Sequence, residues 1–446
     1  MRKIPSFVLF LLLAASSAFA QKKLIKQPTE PGVATATVER IVRTLAADDM
    51  QGRASGQPGS VKAADFLAAE FRRIGLQPLP GLVDFTQSFP AYEARTAAAF
   101  VALNGAPLKP ERFVLISGQP HLNWTQFDEP AARVVSIGPK DNLMREIRPL
   151  LDPQANTIVF VDSAQAAMFK RVAGVVKRGG LRADKPAPFT TLLVLGRAPA
   201  VPLKFQVAAT TTIRTVELRN VVGMLPGLEE ARAKEQVVFS GHYDHIGILP
   251  AVAGDSIANG ADDDASGTTA VVALAEYFQK QHDNARPLVF VAFAAEEIGG
   301  FGARHFSRQL NPQEVVAMFN IEMIGKQAKF GPNTAFITGF DKSDFGAMLQ
   351  QNAKGSIFRF EPDPYPGQNL FYRSDNATLA RLGVPAHTIS TDQIPTDKRY
   401  HSVDDEVESL DLPNMTAVIT AIGRAAAPII SGKQTPARIA PETVKQ

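Results

Sequence analysis

The chain contains no cysteine in its 446 residues. That excludes disulfides and a lipid-bearing lipobox cysteine, and it leaves His, Asp and Glu to hold any metal ion. An excess of one charge is missing too, since 47 Lys and Arg stand against 44 Asp and Glu. No polyelectrolyte partner is implied. No basic stripe with interleaved aromatics occurs, which argues against nucleic acid. Beyond the first twenty residues, no apolar run approaches the length of a membrane span.

What is present begins with MRKIPSFVLFLLLAASSAFA. Two positive charges precede a short apolar run, and Ala18-Phe19-Ala20 forms a small-x-small cleavage site, the pattern of a secretory signal peptide over residues 1–20. Arg2 and Lys3 carry two of the three formal positive charges, so the mature chain is nearly neutral. An exported protein is expected, periplasmic or secreted, with no membrane attachment after cleavage. Nothing in the sequence speaks to its oligomeric state.

The length suggests two or three domains. After a polar leader, residues 32–82 read as two helices around a glycine-rich turn. Val38, Ile41, Val42 and Leu45 share one helical face, as do Ala63, Phe66, Leu67 and Phe71. Residues 83–215 change to short β-like runs such as ARVVSIG and NTIVFVD, with one helical stretch from Ala164 to Val176. This reads as an inserted, smaller β-rich accessory domain. Strands and helices then alternate over 216–433, and a polar stretch, 434–446, reads as a flexible tail. The expected fold class is α/β: a mixed, mostly parallel sheet sandwiched by helices. In such sheets ligands collect at the carboxyl ends of strands.

The costly polar residues sit at those ends. GHYDHIG places His242, Asp244 and His245 after one strand, and NGADDDASG brings Asp262, Asp263 and Asp264 ahead of a helix. LVFVAFAAEEIGG ends in Glu296 and Glu297, FNIEMIG carries Glu322, and DKRYHSVDDE supplies Tyr400, His401 and Asp404. Some have plainer readings. Asp264 fits a helix N-cap as readily as a ligand, His245 reads as a loop histidine, and Asp244 as an orienting partner for His242. Glu322, between Ile321 and Met323, demands a metal or a buried ion pair. Together the set is what a two-metal site needs: oxygen and imidazole donors, with a carboxylate bridging ions about 3.5–4 Å apart. A cation also explains why two glutamates stand side by side.

At these residues the sequence resembles the co-catalytic zinc aminopeptidases, exported peptidases related to glutamate carboxypeptidase. MQGRASGQPGSVKAADFLAAEFRRIGL, GADDDASG and AAEEIG carry the resemblance, which covers about 35–80 and 218–431. It implies a zinc aminopeptidase-like fold and two zinc ions per chain. His242 and Glu322 would hold one, Glu297 and His401 the other, with Asp263 bridging and Glu296 as general base. It also implies that Asp244 stands behind the first histidine, that Asp264 follows the bridging aspartate at a cis peptide, and that Tyr400 steadies the oxyanion. Residues 83–215 would match a divergent protease-associated insert. Two departures stand out. Glu322 occupies a position where the family more often has aspartate, and Asn376 replaces a histidine after Ser-Asp.

The implied activity is removal of the first residue from peptides with a free N-terminus, by a water activated between the two ions. Three alternatives remain open: a dipeptidase or carboxypeptidase using Arg373 or Arg399 to hold a carboxylate, a single-zinc glutaminyl cyclase-like acyl transferase, and a catalytically silent binding module.

Overall fold

The structure, a computed structural model, describes residues 32–445. The expected signal peptide lies outside the described residues. Helix α1 (Thr35–Leu45) buries Val38, Ile41, Val42 and Leu45 on the expected face. Helix α2 (Pro58–Ile74) starts on proline and stops at Gly75, which is left-handed with φ 89°. It buries Ala63, Leu67 and Phe71, while Phe66 is half-buried.

The next strand, β1 (Thr86–Leu103), leads into four short ones: β2 (Phe113–Ser117), β3 (Arg133–Ile137), β4 (Thr157–Val161) and β5 (Thr190–Leu195). Helix α3 (Ala166–Arg178) stands between the last two. Strand β6 (Phe205–Leu225) then returns the chain to β7 (Gln236–His242) and helix α4 (Gly267–Gln281). After β8 (Leu288–Phe293) come α5 (Phe301–Gln309), β9 (Val315–Ile321), β10 (Thr334–Ile337), α6 (Phe345–Asn352), β11 (Arg359–Pro362), β12 (Ala386–Ser390) and α7 (Leu412–Ile430).

An 11-stranded mixed sheet runs β11-β10-β12-β9-β7-β8-β6-β1, with three short strands completing its far end. The central run β12-β9-β7-β8 is parallel, whereas β6 and β1 add a long antiparallel hairpin. The edge pair β10 and β11 is parallel as well, while β10 joins β12 antiparallel. Side chains of the central strands alternate between faces. Val237, Phe239, Leu288, Phe290 and Phe319 enter the core under α1, α2, α4 and α7. Val238, Val289, Val291 and Met318 enter the core on the other face, with α5. Phe239 stacks between Phe290 and Phe319 at 5.5 and 4.9 Å. Each such buried side chain contributes roughly 1.5–3 kcal/mol, which makes a rigid floor beneath the strand ends.

The four short strands form a second sheet, ordered β2-β5-β4-β3, with apolar clusters on its two faces. The chain does not leave the main sheet at residue 83 or rejoin it at 216. Thr86 pairs with Val221 and Leu103 with Phe205, so β1 and β6 form one continuous pair of arms. A register shift between Thr96 and Ala98, and faces exposed along much of the arms, disguised them as short runs.

The expected flexible tail also differs. Ile439 and Val444 are buried in the second core, and Arg438 donates to the carbonyls of Pro312 and Val315. Two spaced apolar residues dock an otherwise polar segment. No helix among the described residues is long and apolar enough to cross a membrane.

Candidate metal centre

Tight turns at the strand ends aim the polar residues. β8 stops at Phe293, and Ala295 then takes a left-handed conformation (φ 61°) just before Glu296 and Glu297. Met323 (φ 51°) follows Glu322, and His401 itself has φ 55°. Non-glycine residues resist this region, and such strain gathers where a site fixes side-chain direction. The peptide between Asp263 and Asp264 is cis, as the resemblance implied. Gly267 opens α4 pressed against β9: a Cβ there would lie 2.1 Å from the Ile321 carbonyl and 2.5 Å from the Asp264 carboxylate. Only glycine lets the acidic loop approach so closely.

Asp263 lies at the centre. Its Oδ1 is 3.4 Å from His242 Nε2, and its Oδ2 is 3.2 Å from His401 Nε2. The two oxygens thus face two different histidines. Glu297 Oε2 stands 3.1 Å from His401 Nε2, and its Oε1 is 2.7 Å from His245 Nδ1. Glu296 Oε2 is 4.0 Å from His242 Nε2. Glu322 lines the same cavity as Asp263, Glu296, Glu297 and Tyr400, and Tyr400 stacks on His401 at 3.9 Å.

A layer of buried groups holds these residues. The Nδ1 of His242 lies 3.1 Å from the Asp244 backbone carbonyl, leaving Nε2 for the cavity. The Asp244 carboxylate, 3.8 Å from the same ring, instead accepts the Glu296 N–H and the Ser55 hydroxyl. Asp264 accepts N–H groups from His242, Gly267 and Met323, tying three turns together. Its bond to Gly267 reaches the first N–H of α4, but the cap position itself is Ser266. Asp405 accepts the N–H groups of Asp262 and Asp263. The fully buried Arg53 donates to the carbonyls of Leu45, Tyr243, Asn259 and Gly260. Asn376 bonds Thr388 and the Phe371 and Ala386 carbonyls, a structural place for the departure from histidine.

The acids outnumber the cations here. Burial disfavours charge on His242, yet the carboxylates of Glu296, Asp264, Asp263 and Glu322 raise its pKa well above the usual value. His401 is lowered by burial but raised further by Asp263 and Glu297, to about 10. This field favours positive charge at both imidazoles. The adjacent glutamates are driven apart. Burial, opposed by His242 and aided by Glu322, raises Glu296 well above the carboxylate range. Burial acts on Glu297 too, but hydrogen bonds from His245 and His401 overcome it and hold Glu297 well below. Neighbouring acids set apart in this way take different roles.

The donor set fits metal ions. His242 Nε2 and Glu322 Oε2 are buried with no hydrogen-bond partner, a cost that ligation removes. His245, Asp263, Glu297 and His401 offer donor atoms that all lie within 4.8 Å of one another. Beyond a hydrogen bond with Ser374, the charges acting most strongly on Glu322 come from His242, Asp263 and Glu297, and none of these is a lysine or arginine.

His245 lies in the loop after β7, as expected, but it is buried there and bonded to Glu297. Its place three residues after His242 was the one available signal. Asp405, not its exposed neighbour Asp404, serves the site. Arg53 lies within MQGRASGQPGS, where no local pattern marks its role.

Residues 220–426 match Peptidase family M28. Leucine aminopeptidase 1 of Penicillium rubens is 28% identical over 209 residues, 44% of this chain and 52% of that protein. A probable zinc metalloprotease of Leptosphaeria maculans is 33% identical over 112 residues, 25% of each. The chain thus spans about half the length of the leucine aminopeptidases it matches. Among solved structures, a zinc aminopeptidase from Bacillus subtilis superposes with a TM-score of 0.56 at 15% identity, covering 93% of this chain and 100% of that one. An aminopeptidase from Aneurinibacillus sp. strain AM-1 gives 0.53 at 15%, over 93% and 96%. These likenesses show the zinc aminopeptidase fold. On the sequence match, residues 220–426 are similar to Peptidase family M28.

Proposed function

We propose that the chain is an exported two-zinc aminopeptidase. The observation that carries this reading is Asp263, whose two oxygens face His242 and His401 separately. His242 and Glu322 would hold one ion, Glu297 and His401 the other, and Asp263 both. His245 would donate its Nδ1–H to Glu297 and fix that carboxylate. When bound, the two ions supply the charge that acidifies water and polarises a peptide carbonyl.

The protein's own groups do the rest. Glu296, its backbone N–H pinned by Asp244, takes the proton of the attacking water and passes it to the leaving amine. Burial raises the proton affinity of the Glu296 carboxyl, which suits it to take up a proton as a general base. Burial also raises the Tyr400 hydroxyl, so it stays protonated and donates to the developing oxyanion. The surplus of carboxylates attracts the ammonium of a free N-terminus. Export rests on the pattern of the first twenty residues.

One observation favours a dipeptidase. Arg373 lines the same cavity, where a guanidinium could hold a substrate carboxylate, whereas Arg399 does not line it. Peptides capped at one end separate the readings. An aminopeptidase cleaves C-amidated tripeptides with a free N-terminus and leaves N-acetylated ones intact. Cleavage only where the carboxylate is free would transfer the assignment to a dipeptidase or carboxypeptidase.

A further inference from the structure

The cavity beside the candidate metal centre has apolar walls from Met323, Phe336, Leu370 and Ile394, yet it also holds Asp392. Asp392 follows β12 and is 4% exposed, and its Oδ1 has no hydrogen-bond partner. A buried carboxylate without a cation is costly. Arg373 also lines this cavity, and the lysine beside Asp392 is already engaged. Lys326 Nζ lies 2.6 Å from Asp397, 3.1 Å from Asp262 and 3.9 Å from Asp405. Asp262, Asp392 and Asp397 also bring donor oxygens within 4.8 Å, but the lysine against two of them disfavours a further metal ion.

Position gives the orphan acid a use. In the sheet, β12 lies two strands from β7, which carries His242. Strands are spaced about 4.8 Å apart, so Asp392 stands on the order of 10 Å along the sheet edge from that histidine. That is the reach of a lysine or arginine side chain lying across the apolar walls with its charge at the end, an arrangement such side chains favour.

We propose that this cavity receives the side chain of the substrate's first residue, and that Asp392 selects a cationic one, lysine or arginine. The proposal rests on the aminopeptidase reading for its catalytic consequence, but the binding preference can be measured without turnover. The experiment compares p-nitroanilides of arginine, lysine, leucine and glutamate on the zinc-loaded enzyme and on Asp392→Asn. Calorimetric Kd values for free L-arginine and L-leucine are measured on both proteins.

In the wild type, kcat/KM for arginine and lysine should exceed that for leucine at least tenfold. In Asp392→Asn, the arginine-to-leucine ratio should fall at least tenfold, and so should the ratio of their affinities. Both ratios are taken within one protein, so a general loss of stability cancels. Ratios unchanged by the substitution, or a wild type that prefers leucine or glutamate, would overturn the proposal. Tight, Asp392-dependent arginine binding without hydrolysis of any anilide would support this pocket and overturn the aminopeptidase reading instead.

Discussion

Glu296→Gln is expected to lower kcat by about 10³-fold, within the range for loss of a general base, while leaving the zinc content of the protein intact. The reasoning turns on the contrast with its neighbour. Glu297 is clamped between His245 at 2.7 Å and His401 at 3.1 Å, and its carboxylate is held ionised. Glu296 approaches a histidine only at 4.0 Å, and burial keeps its proton affinity high. A glutamine at 296 preserves shape and polarity but cannot accept the proton. Glu297→Gln should behave differently, losing bound metal along with activity, because it removes a charge between two imidazoles. Elemental analysis beside steady-state kinetics reads both effects. Glu296→Gln retaining more than about a tenth of wild-type kcat would remove Glu296 from the base role.

The largest stability effect is expected at Arg53. Its guanidinium, fully buried, reaches four backbone carbonyls at 2.5 to 2.8 Å. Burial lowers its pKa to about 10, while Asp405, Asp263, Asp244 and Asp264 sustain its charge. Arg53→Ala would orphan those carbonyls, open a cavity and strip the acidic loops of a compensating cation. A cost of about 3–5 kcal/mol follows from removing one partner of a buried charge cluster. Arg53→Lys should recover only part, since a single ammonium cannot reproduce the forked geometry. Denaturant midpoints for the three proteins measure the effect. A midpoint for Arg53→Ala equal to the wild type would mean that the loop before Asp263 is held by other means.

Arg53 also shows where reading a sequence stops. The strands under the site were legible because Val237-Val238-Phe239 and Leu288-Val289-Phe290 are unbroken apolar runs, buried on both faces. Residues needing a cation stood out at their ends because Glu296, Glu297 and Glu322 contradict such surroundings. The supporting groups announce themselves only through partners far along the chain. Arg53 finds Asn259 and Gly260 across 206 and 207 positions, and Asp405 finds Asp262 and Asp263 across 143 and 142. No local periodicity encodes such pairings. His245 was obscured for a related reason: its role depends on Glu297, 52 residues away. The hairpin arms β1 and β6 were missed because alternation fades where a strand is exposed on both faces, leaving register to the pairing itself.

Zinc stoichiometry tests the central claim most directly. Elemental analysis of the purified chain, dialysed against metal-free buffer, should find about two zinc ions per chain, and Asp263→Ala should lose both, since one side chain would serve both ions. A wild type that holds one ion or none, with no second recovered on titration, would contradict the two-zinc centre on which the proposed activity depends.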